Sequence, residues 1–354
     1  MGGMTIRGTG RYNPGTPVTN ADLAKVMDTS DDWIRQRTGI EQRHFAAPGE
    51  GVSDMGTKAA TKAIDAAGLE AKDIDYIIFA TMTPDYPFPG SGGIVGANLG
   101  IPGVPALDIR QQCAAVPFGL QVAQGLMKSG AANRILFVGA DAHAGFMPWF
   151  DWDVVRGNSD GPVSPENYAR ATEHRGIAVV FGDGAGAFVL ERTEGGDDRS
   201  GLLDVATHTD GRGALEIYIP GGGYRNHPSF DPGMFERAEY VPRMQGREVF
   251  KNAVTRLPKT VRRLCQRQGI ELDEIDWFIA HQANDRINVA VRDALKLPAD
   301  KVPSNIARYG NTSAGTIPIL LDEMWRDGRL QPGQLLCLFA LGAGLNWGAA
   351  LLRL

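Results

Sequence analysis

Three side chains in this sequence could together do carbon–carbon chemistry on a thioester. The first is the thiol of Cys113, within Asp108-Ile109-Arg110-Gln111-Gln112-Cys113-Ala114-Ala115. The second is the imidazole of His281, within His281-Gln282-Ala283-Asn284. The third is the carboxamide of Asn311, within Tyr309-Gly310-Asn311-Thr312-Ser313-Ala314-Gly315. A cysteine thiolate can accept an acyl group as a thioester. An imidazole and a carboxamide can both donate hydrogen bonds to an enolate oxygen. The three segments lie far apart along the chain, so only a specific fold could bring them together.

Each segment sits where an apolar run meets a small-residue turn. Val104-Pro105-Ala106-Leu107-Asp108-Ile109 reads as a strand, and Val116, Leu120, Ala123 and Met127 then recur at helical spacing. Gly130 is a natural helix stop, and Pro117 falls in the first turns, where proline is best tolerated. Cys113 is thus expected at a strand-to-helix corner, where the helix dipole should lower its pKa. His281 follows the apolar strand Asp276-Trp277-Phe278-Ile279-Ala280, at the carboxyl end where α/β sheets place ligand groups. Asn311 lies in a turn opening a helix marked by Ile317, Leu320, Leu321 and Met324. Such an asparagine can be a simple cap, but the small residues around it suggest close approach to something. The Leu341-Gly342-Ala343-Gly344-Leu345 loop offers backbone N–H groups for an oxyanion hole, or is a tight β-bend. Cys265, Cys337 and the histidines His44, His143, His174, His208 and His227 read as structural.

The whole chain is compatible with such a site. It has 354 residues, 43% hydrophobic and 22% charged, with a formal net charge of −5. That is a globular composition with no basic excess to suggest nucleic acid. No run approaches the ~20 apolar residues of a membrane span, and no secretion-signal pattern opens the sequence. Three widely spaced cysteines argue against a disulfide framework or a zinc site. The expectation is a cytoplasmic protein. The chain also echoes itself after roughly 200 residues. Asp73-Ile74-Asp75-Tyr76-Ile77-Ile78-Phe79-Ala80 resembles Glu274-Ile275-Asp276-Trp277-Phe278-Ile279-Ala280-His281. Short apolar strands alternate with longer amphipathic helices, which predicts an α/β architecture with buried sheets. Two halves are expected, 1–195 with the thiol and 196–354 with the imidazole and carboxamide. The join is placed in the polar stretch from Glu191 to Ser200.

With these motifs together, the chain resembles the β-ketoacyl-acyl carrier protein synthase III family of the thiolase superfamily. The resemblance runs from near Thr5 to Leu354. It also includes Thr29-Ser30-Asp31-Asp32-Trp33-Ile34, Arg37-Thr38-Gly39-Ile40 and Phe181-Gly182-Asp183-Gly184-Ala185-Gly186-Ala187. It implies a thiolase-like five-layer αβαβα fold of two duplicated halves, and a homodimer. It implies Cys113, His281 and Asn311 as the catalytic triad, with the backbone N–H groups of Cys113 and Ala343 as the oxyanion hole. Trp33, Arg37 and Arg175 would hold the coenzyme A nucleotide. Lys251 and Arg286 would help dock acyl carrier protein or its phosphopantetheine. Phe88 would reach toward the partner's acyl tunnel. Acyl-CoA and malonyl-acyl carrier protein would be substrates, with no metal and no permanently bound cofactor. Cys113 would take an acyl primer, and decarboxylative Claisen condensation would follow. The alternative is an acyltransferase on the same fold, passing the acyl group to an alcohol or amine.

Three departures from the family pattern bear on the primer. Gln111-Gln112 precede the thiol where small residues are usual, and Ala115-Val116-Pro117-Phe118 replaces a Gly-Phe pair. The stretch from His143 to His174, with its aromatic run Phe146-Met147-Pro148-Trp149-Phe150-Asp151-Trp152, looks like an insertion. It reads as a packed lid or subunit contact near the tunnel mouth. The expectation is a primer longer than acetyl.

Overall fold

The structure, a computed structural model, describes residues 3–193 and 200–354. Its frame is two sheets. The first contains β1 (Gly3–Tyr12), β2 (Tyr76–Ala80), β3 (Ala106–Ile109), β4 (Arg134–Asp141) and β5 (Gly184–Thr193). Its spatial order is β1-β5-β4-β2-β3. The second contains β6 (Gly201–Thr209), β7 (Trp277–Ala280), β8 (Leu335–Gly342) and β9 (Asn346–Arg353), in the order β7-β8-β9-β6. In both sheets one parallel pair, β2–β4 or β7–β8, is extended by antiparallel partners. The second sheet therefore repeats the first without a counterpart of β3. The repeat reaches local detail. The turns Ala71–Asp73 and Leu272–Glu274, which feed β2 and β7, are both single 3₁₀ turns closed by acidic capping boxes. The join expected between Glu191 and Ser200 falls mostly outside the described residues; Glu191–Thr193 finish β5.

Helices fill the space between the sheets and cover both outer faces. Ala115–Lys128 touches β2 and β4 on one side and β6, β8 and β9 on the other. Thr316–Arg326 likewise bridges β1, β4 and β5 to β7. Val52–Ala66 covers the outside of the first sheet, and Gly246–Gln268 with Asp285–Leu295 the outside of the second. This is the five-layer αβαβα stack. Strands covered on both faces carry unbroken apolar runs rather than alternation, as in Leu335-Leu336-Cys337-Leu338-Phe339-Ala340, where every residue is buried. Cys337 and Cys265 both pack in the outer core of the second half.

The stretch after β4 is packed against its own chain, as a packed lid would be. Trp149 is fully buried and meets Phe45 and Trp152 edge-on, at 5.9 and 5.5 Å between ring centres. Phe150 lies over Tyr240, with the Arg170 guanidinium 4.3 Å from its ring centre. The segment seals a separate apolar cluster that includes Ile34 and Ile40 from the N-terminal region. Among the described residues, none from 143–174 lines the cavity described below. Any influence of this segment on the site is therefore indirect.

The central helix Ala115–Lys128 packs tightly at one glycine and loosely at another. A methyl group on Gly119 would lie 2.2 Å from the Phe137 ring, which itself stacks on Phe188 at 4.7 Å. A methyl group on Gly125 would meet nothing within 4 Å. Gly125→Ala should therefore stabilise by about 0.5–1 kcal/mol through helix propensity. Gly119→Ala should instead destabilise by about 1–3 kcal/mol through overpacking. Urea unfolding midpoints of the two variants will show whether the shifts have opposite sign.

Candidate active site

Cys113 sits in a 3₁₀ turn, Gln112–Ala114, that runs directly into the helix Ala115–Lys128. Gln112 holds a left-handed backbone conformation, φ 45°, to make that corner. The matching turn of the second half, Ser313–Gly315, runs into Thr316–Arg326, and Ser313 has φ 50°. The two corners face each other, with Cys113 Sγ 3.6 Å from Ser313 Oγ. The loop after β8 also closes on the thiol. A Cβ on Gly342 would lie 3.0 Å from both Cys113 N and Cβ, so only glycine lets the loop carrying Ala343 come this near. Asn346 holds the loop by donating to the Ala343 carbonyl at 2.7 Å, and it also reaches Gln112 Oε1 at 3.4 Å.

Burial reverses the expectation for the thiol. Withdrawal from water pushes the Cys113 pKa up to about 12, and the buried Asp141 carboxylate adds to the rise. Hydrogen bonding with Ser313 and Asn311 opposes it without cancelling it. The N-terminus of the helix does not make this cysteine a resident thiolate; its proton must leave as the acyl group arrives.

His281 extends β7 by one residue, its N–H donating to Phe339 O at 2.9 Å. Its side chain is buried, and that burial alone depresses its pKa to about 3, so the ring is neutral. Nδ1 lies 2.6 Å from Thr316 Oγ1, while Nε2 has no hydrogen-bond partner among the described residues. Asn311 is fixed by its backbone, which exchanges bonds with Val180 and Gly182 at 2.9 and 3.1 Å. Its Oδ1 accepts the Ser313 N–H at 2.8 Å. The amide NH2 is therefore its free end. The helix after His281 begins at Asp285, capped by Asn284.

Cys113, His281 and Asn311 line one cavity of about 460 Å³. Its walls are largely apolar, with Phe181, Ile217, Met244, Phe250 and Leu257 among them. Arg37 and Arg286 also line it, together with Arg247, which the sequence reading did not single out. Trp33 lies beside this region, with the Arg37 and Arg175 guanidiniums 4.3 and 4.9 Å from its ring centre. Arg175 is also paired with Asp28 at 3.0 Å. Asn284 donates to Arg37 O at 2.9 Å and so ties the Trp33 helix, Asp31–Thr38, to the His281 segment. Lys251 is exposed on the helix Gly246–Gln268 and does not line the cavity. Phe88 is 80% exposed and lies outside the cavity of its own chain. The hydroxyls of Ser313 and Thr316 were also missed as contacts of the reacting groups. Hydroxyls at a helix start normally read as caps, and nothing in their spacing marks a partner elsewhere in the chain.

A thiol, an imidazole and a carboxamide line one cavity in the middle of a thiolase-like fold, the set expected of a condensing enzyme. Comparison with known proteins agrees. Family models for 3-oxoacyl-[acyl-carrier-protein (ACP)] synthase III match residues 107–161 and 163–211, and the model for its C-terminal region matches 265–354. The β-ketoacyl-[acyl-carrier-protein] synthase III of Rhodospirillum rubrum is 41% identical, over 99% of this chain and 98% of that protein. The protein of the same name from Rhizorhabdus wittichii is 40% identical, over 98% of each chain. The crystal structure of 3-oxoacyl-[acyl-carrier-protein] synthase III from Aquifex aeolicus matches with a TM-score of 0.82 at 36% identity, covering 99% of this chain and 100% of that one. The chain belongs to the β-ketoacyl-acyl carrier protein synthase III family.

A thiol held near pKa 12 has a defined reactivity profile. The thiolate fraction grows tenfold per pH unit until the pKa is reached. Iodoacetamide labelling of Cys113, followed by intact mass with Cys113→Ser as control, should accelerate about tenfold per unit from pH 7 to 10. A plateau below pH 8 would show a resident thiolate and contradict the burial argument.

Proposed function

We propose that this enzyme loads an acyl group from acyl-CoA onto Cys113 and condenses it with a malonyl thioester on acyl carrier protein. The observation that carries this reading is the convergence of Cys113, His281 and Asn311 on one apolar cavity. In the loading step Cys113 Sγ attacks the acyl carbonyl, losing its proton as the bond forms. Ser313 and Asn311 donate to the developing negative sulfur. The backbone N–H groups of Cys113 and Ala343 receive the carbonyl oxygen. The C–S bond to coenzyme A breaks, and coenzyme A leaves as the thiol. The malonyl thioester then enters. Its carboxylate leaves as carbon dioxide, and the electron pair moves onto the thioester oxygen, held by Asn311 and His281. The carbanion attacks the acyl carbon and expels Cys113 sulfur, which takes up a proton from water to restore the thiol, and the β-ketoacyl thioester is released. This is acyl transfer by a condensing enzyme.

The remaining assignments belong to the same reading. Trp33, Arg37 and Arg175 form a cationic aromatic surface suited to a nucleotide. Lys251 and Arg286 suit the phosphate of a phosphopantetheine arm. Leu107 is exposed on β3, the edge strand of the first sheet, and Phe88 is exposed elsewhere on the surface. An uncovered strand edge with apolar neighbours is best satisfied by a second copy, which is the homodimer we propose. A free thiol nucleophile suits the reducing cytoplasm. The departures beside the thiol, Gln111-Gln112 and Ala115-Val116-Pro117-Phe118, favour a primer longer than acetyl.

Intact-mass measurement with acyl-CoAs from acetyl to dodecanoyl, followed by malonyl-acyl carrier protein, tests this. Acylation should vanish in Cys113→Ala, and a medium-chain primer should load best. Malonyl-acyl carrier protein should discharge it as a β-ketoacyl product. Loading by acetyl-CoA far above every longer chain would remove the longer-primer assignment. An acyl-enzyme that malonyl-acyl carrier protein never discharges would point to transfer onto an alcohol or amine instead.

A further inference from the structure

Neither His281 nor Asn311 is a donor by nature alone. A neutral imidazole carries one N–H on either nitrogen, and a carboxamide has an acceptor end and a donor end. To stabilise an enolate, each must present N–H to the cavity. The turn that opens the helix Thr316–Arg326 touches the acceptor atom of both. The Ser313 N–H occupies Asn311 Oδ1 at 2.8 Å, which turns the NH2 of Asn311 toward the cavity. Thr316 Oγ1 occupies His281 Nδ1 at 2.6 Å.

The Thr316 hydroxyl has one proton and two possible acceptors, His281 Nδ1 at 2.6 Å and Ser313 O at 3.2 Å. Hydrogen bonds weaken as they lengthen toward the end of their usual range. The contact with His281 is the shorter of the two, so it is the better place for the hydroxyl proton, on the line to Nδ1. The single imidazole proton then resides on Nε2. That nitrogen is buried, borders the cavity, and has no other partner among the described residues.

We propose that Thr316 is a positioning residue that sets the tautomer of His281, donating to Nδ1 so that Nε2–H is presented to the enolate oxygen. Ser313 does the same for Asn311 through its backbone, so one short turn fixes the polarity of both donors. This rests on the condensation reading for its purpose, but the tautomer is a property of the unliganded enzyme. The device acts on the second half-reaction. Loading Cys113 needs no proton from His281, whereas charge on the thioester oxygen during decarboxylation does need the Nε2 donor. Removing the hydroxyl leaves Nδ1 without its donor and frees the ring to exchange tautomers.

The test compares wild type, Thr316→Val and Thr316→Ser. In ¹⁵N-histidine-labelled protein, with His281→Gln used for assignment, solid-state NMR should show a pyridine-type Nδ1 and a pyrrole-type Nε2 for His281. Thr316→Val should shift both signals, and Thr316→Ser should restore them. In parallel, acyl loading from acyl-CoA and discharge by malonyl-acyl carrier protein are timed separately. Loss of a whole oxyanion donor costs about 10²–10³ in rate. Partial loss through a mixed tautomer should slow discharge by about tenfold or more relative to loading, with recovery in Thr316→Ser. A pyrrole-type Nδ1 in wild type overturns the proposal. So does a Thr316→Val enzyme that is folded by circular dichroism and slows both half-reactions equally. A wild-type acyl-enzyme that never discharges would instead defeat the condensation reading, leaving the tautomer result to stand on its own.

Discussion

The catalytic geometry depends on one buried carboxylate. Asp141 ends β4 and is fully shielded from water. It accepts hydrogen bonds from Thr81 Oγ1 at 3.0 Å, Met82 N at 2.8 Å and Thr83 Oγ1 at 2.9 Å. Its other oxygen accepts the Ala314 N–H at 3.1 Å. The first three gather the chain leaving β2. The fourth crosses to the second half and seizes the turn that carries Asn311, Ser313 and Thr316. Burying a charge costs several kcal/mol, and hydrogen bonds to an ionised group, each contributing about 1.5–3 kcal/mol, offset that cost only when several are made. The fourth of these bonds is made only when both halves are in register. Gly139, two residues earlier, reinforces the constraint, since a Cβ there would lie 2.3 Å from Ala314 O.

Duplication explains why such a contact exists. Gln112-Cys113-Ala114 and Ser313-Ala314-Gly315 occupy equivalent corners, each entered through a residue with positive φ. A helix between the sheets follows each corner, so the corners meet at the centre of the molecule. One half has put a thiol at the second position of its corner; the other has kept alanine there and placed its chemistry on flanking residues. The sheets differ in the same sense, since the second lacks a counterpart of β3. The halves share a scaffold but divide the labour.

The sequence made the triad legible because its members sit at punctuation marks. Cys113 opens a helix a few residues after a strand, His281 directly follows one, and Asn311 lies in a turn beside Gly310, so periodicity and glycine placement located all three. What it could not supply was depth. A strand-to-helix corner looks the same in sequence whether it faces water or an apolar cavity, so the dipole argument for Cys113 pointed down while burial drives the pKa up to about 12. Long-range partners were equally hidden. Thr316 and His281 are separated by 35 residues, and only the fold shows that a helix-opening hydroxyl meets a ring nitrogen. Aromatic density in 143–174 suggested a packed lid or a subunit contact, and aromatic residues serve both alike. Trp149 and Met147 show which by being buried within their own chain.

The same dry environment that raises the thiol's pKa strengthens the other half of the chemistry. A hydrogen bond to a developing charge gains strength as water is excluded. A neutral donor is the better choice there, because a buried imidazolium would itself need a counter-charge. Burial keeps His281 neutral down to about pH 3. Asn311 carries no charge at any pH. On the proposed reading, the site offers two uncharged donors to an oxygen that becomes negative only in the reaction. The cost falls on Cys113, which cannot rest as a thiolate in that medium and must give up its proton in concert with acyl transfer. Depth therefore selects between the two half-reactions: it opposes spontaneous activation of the nucleophile and favours the enolate.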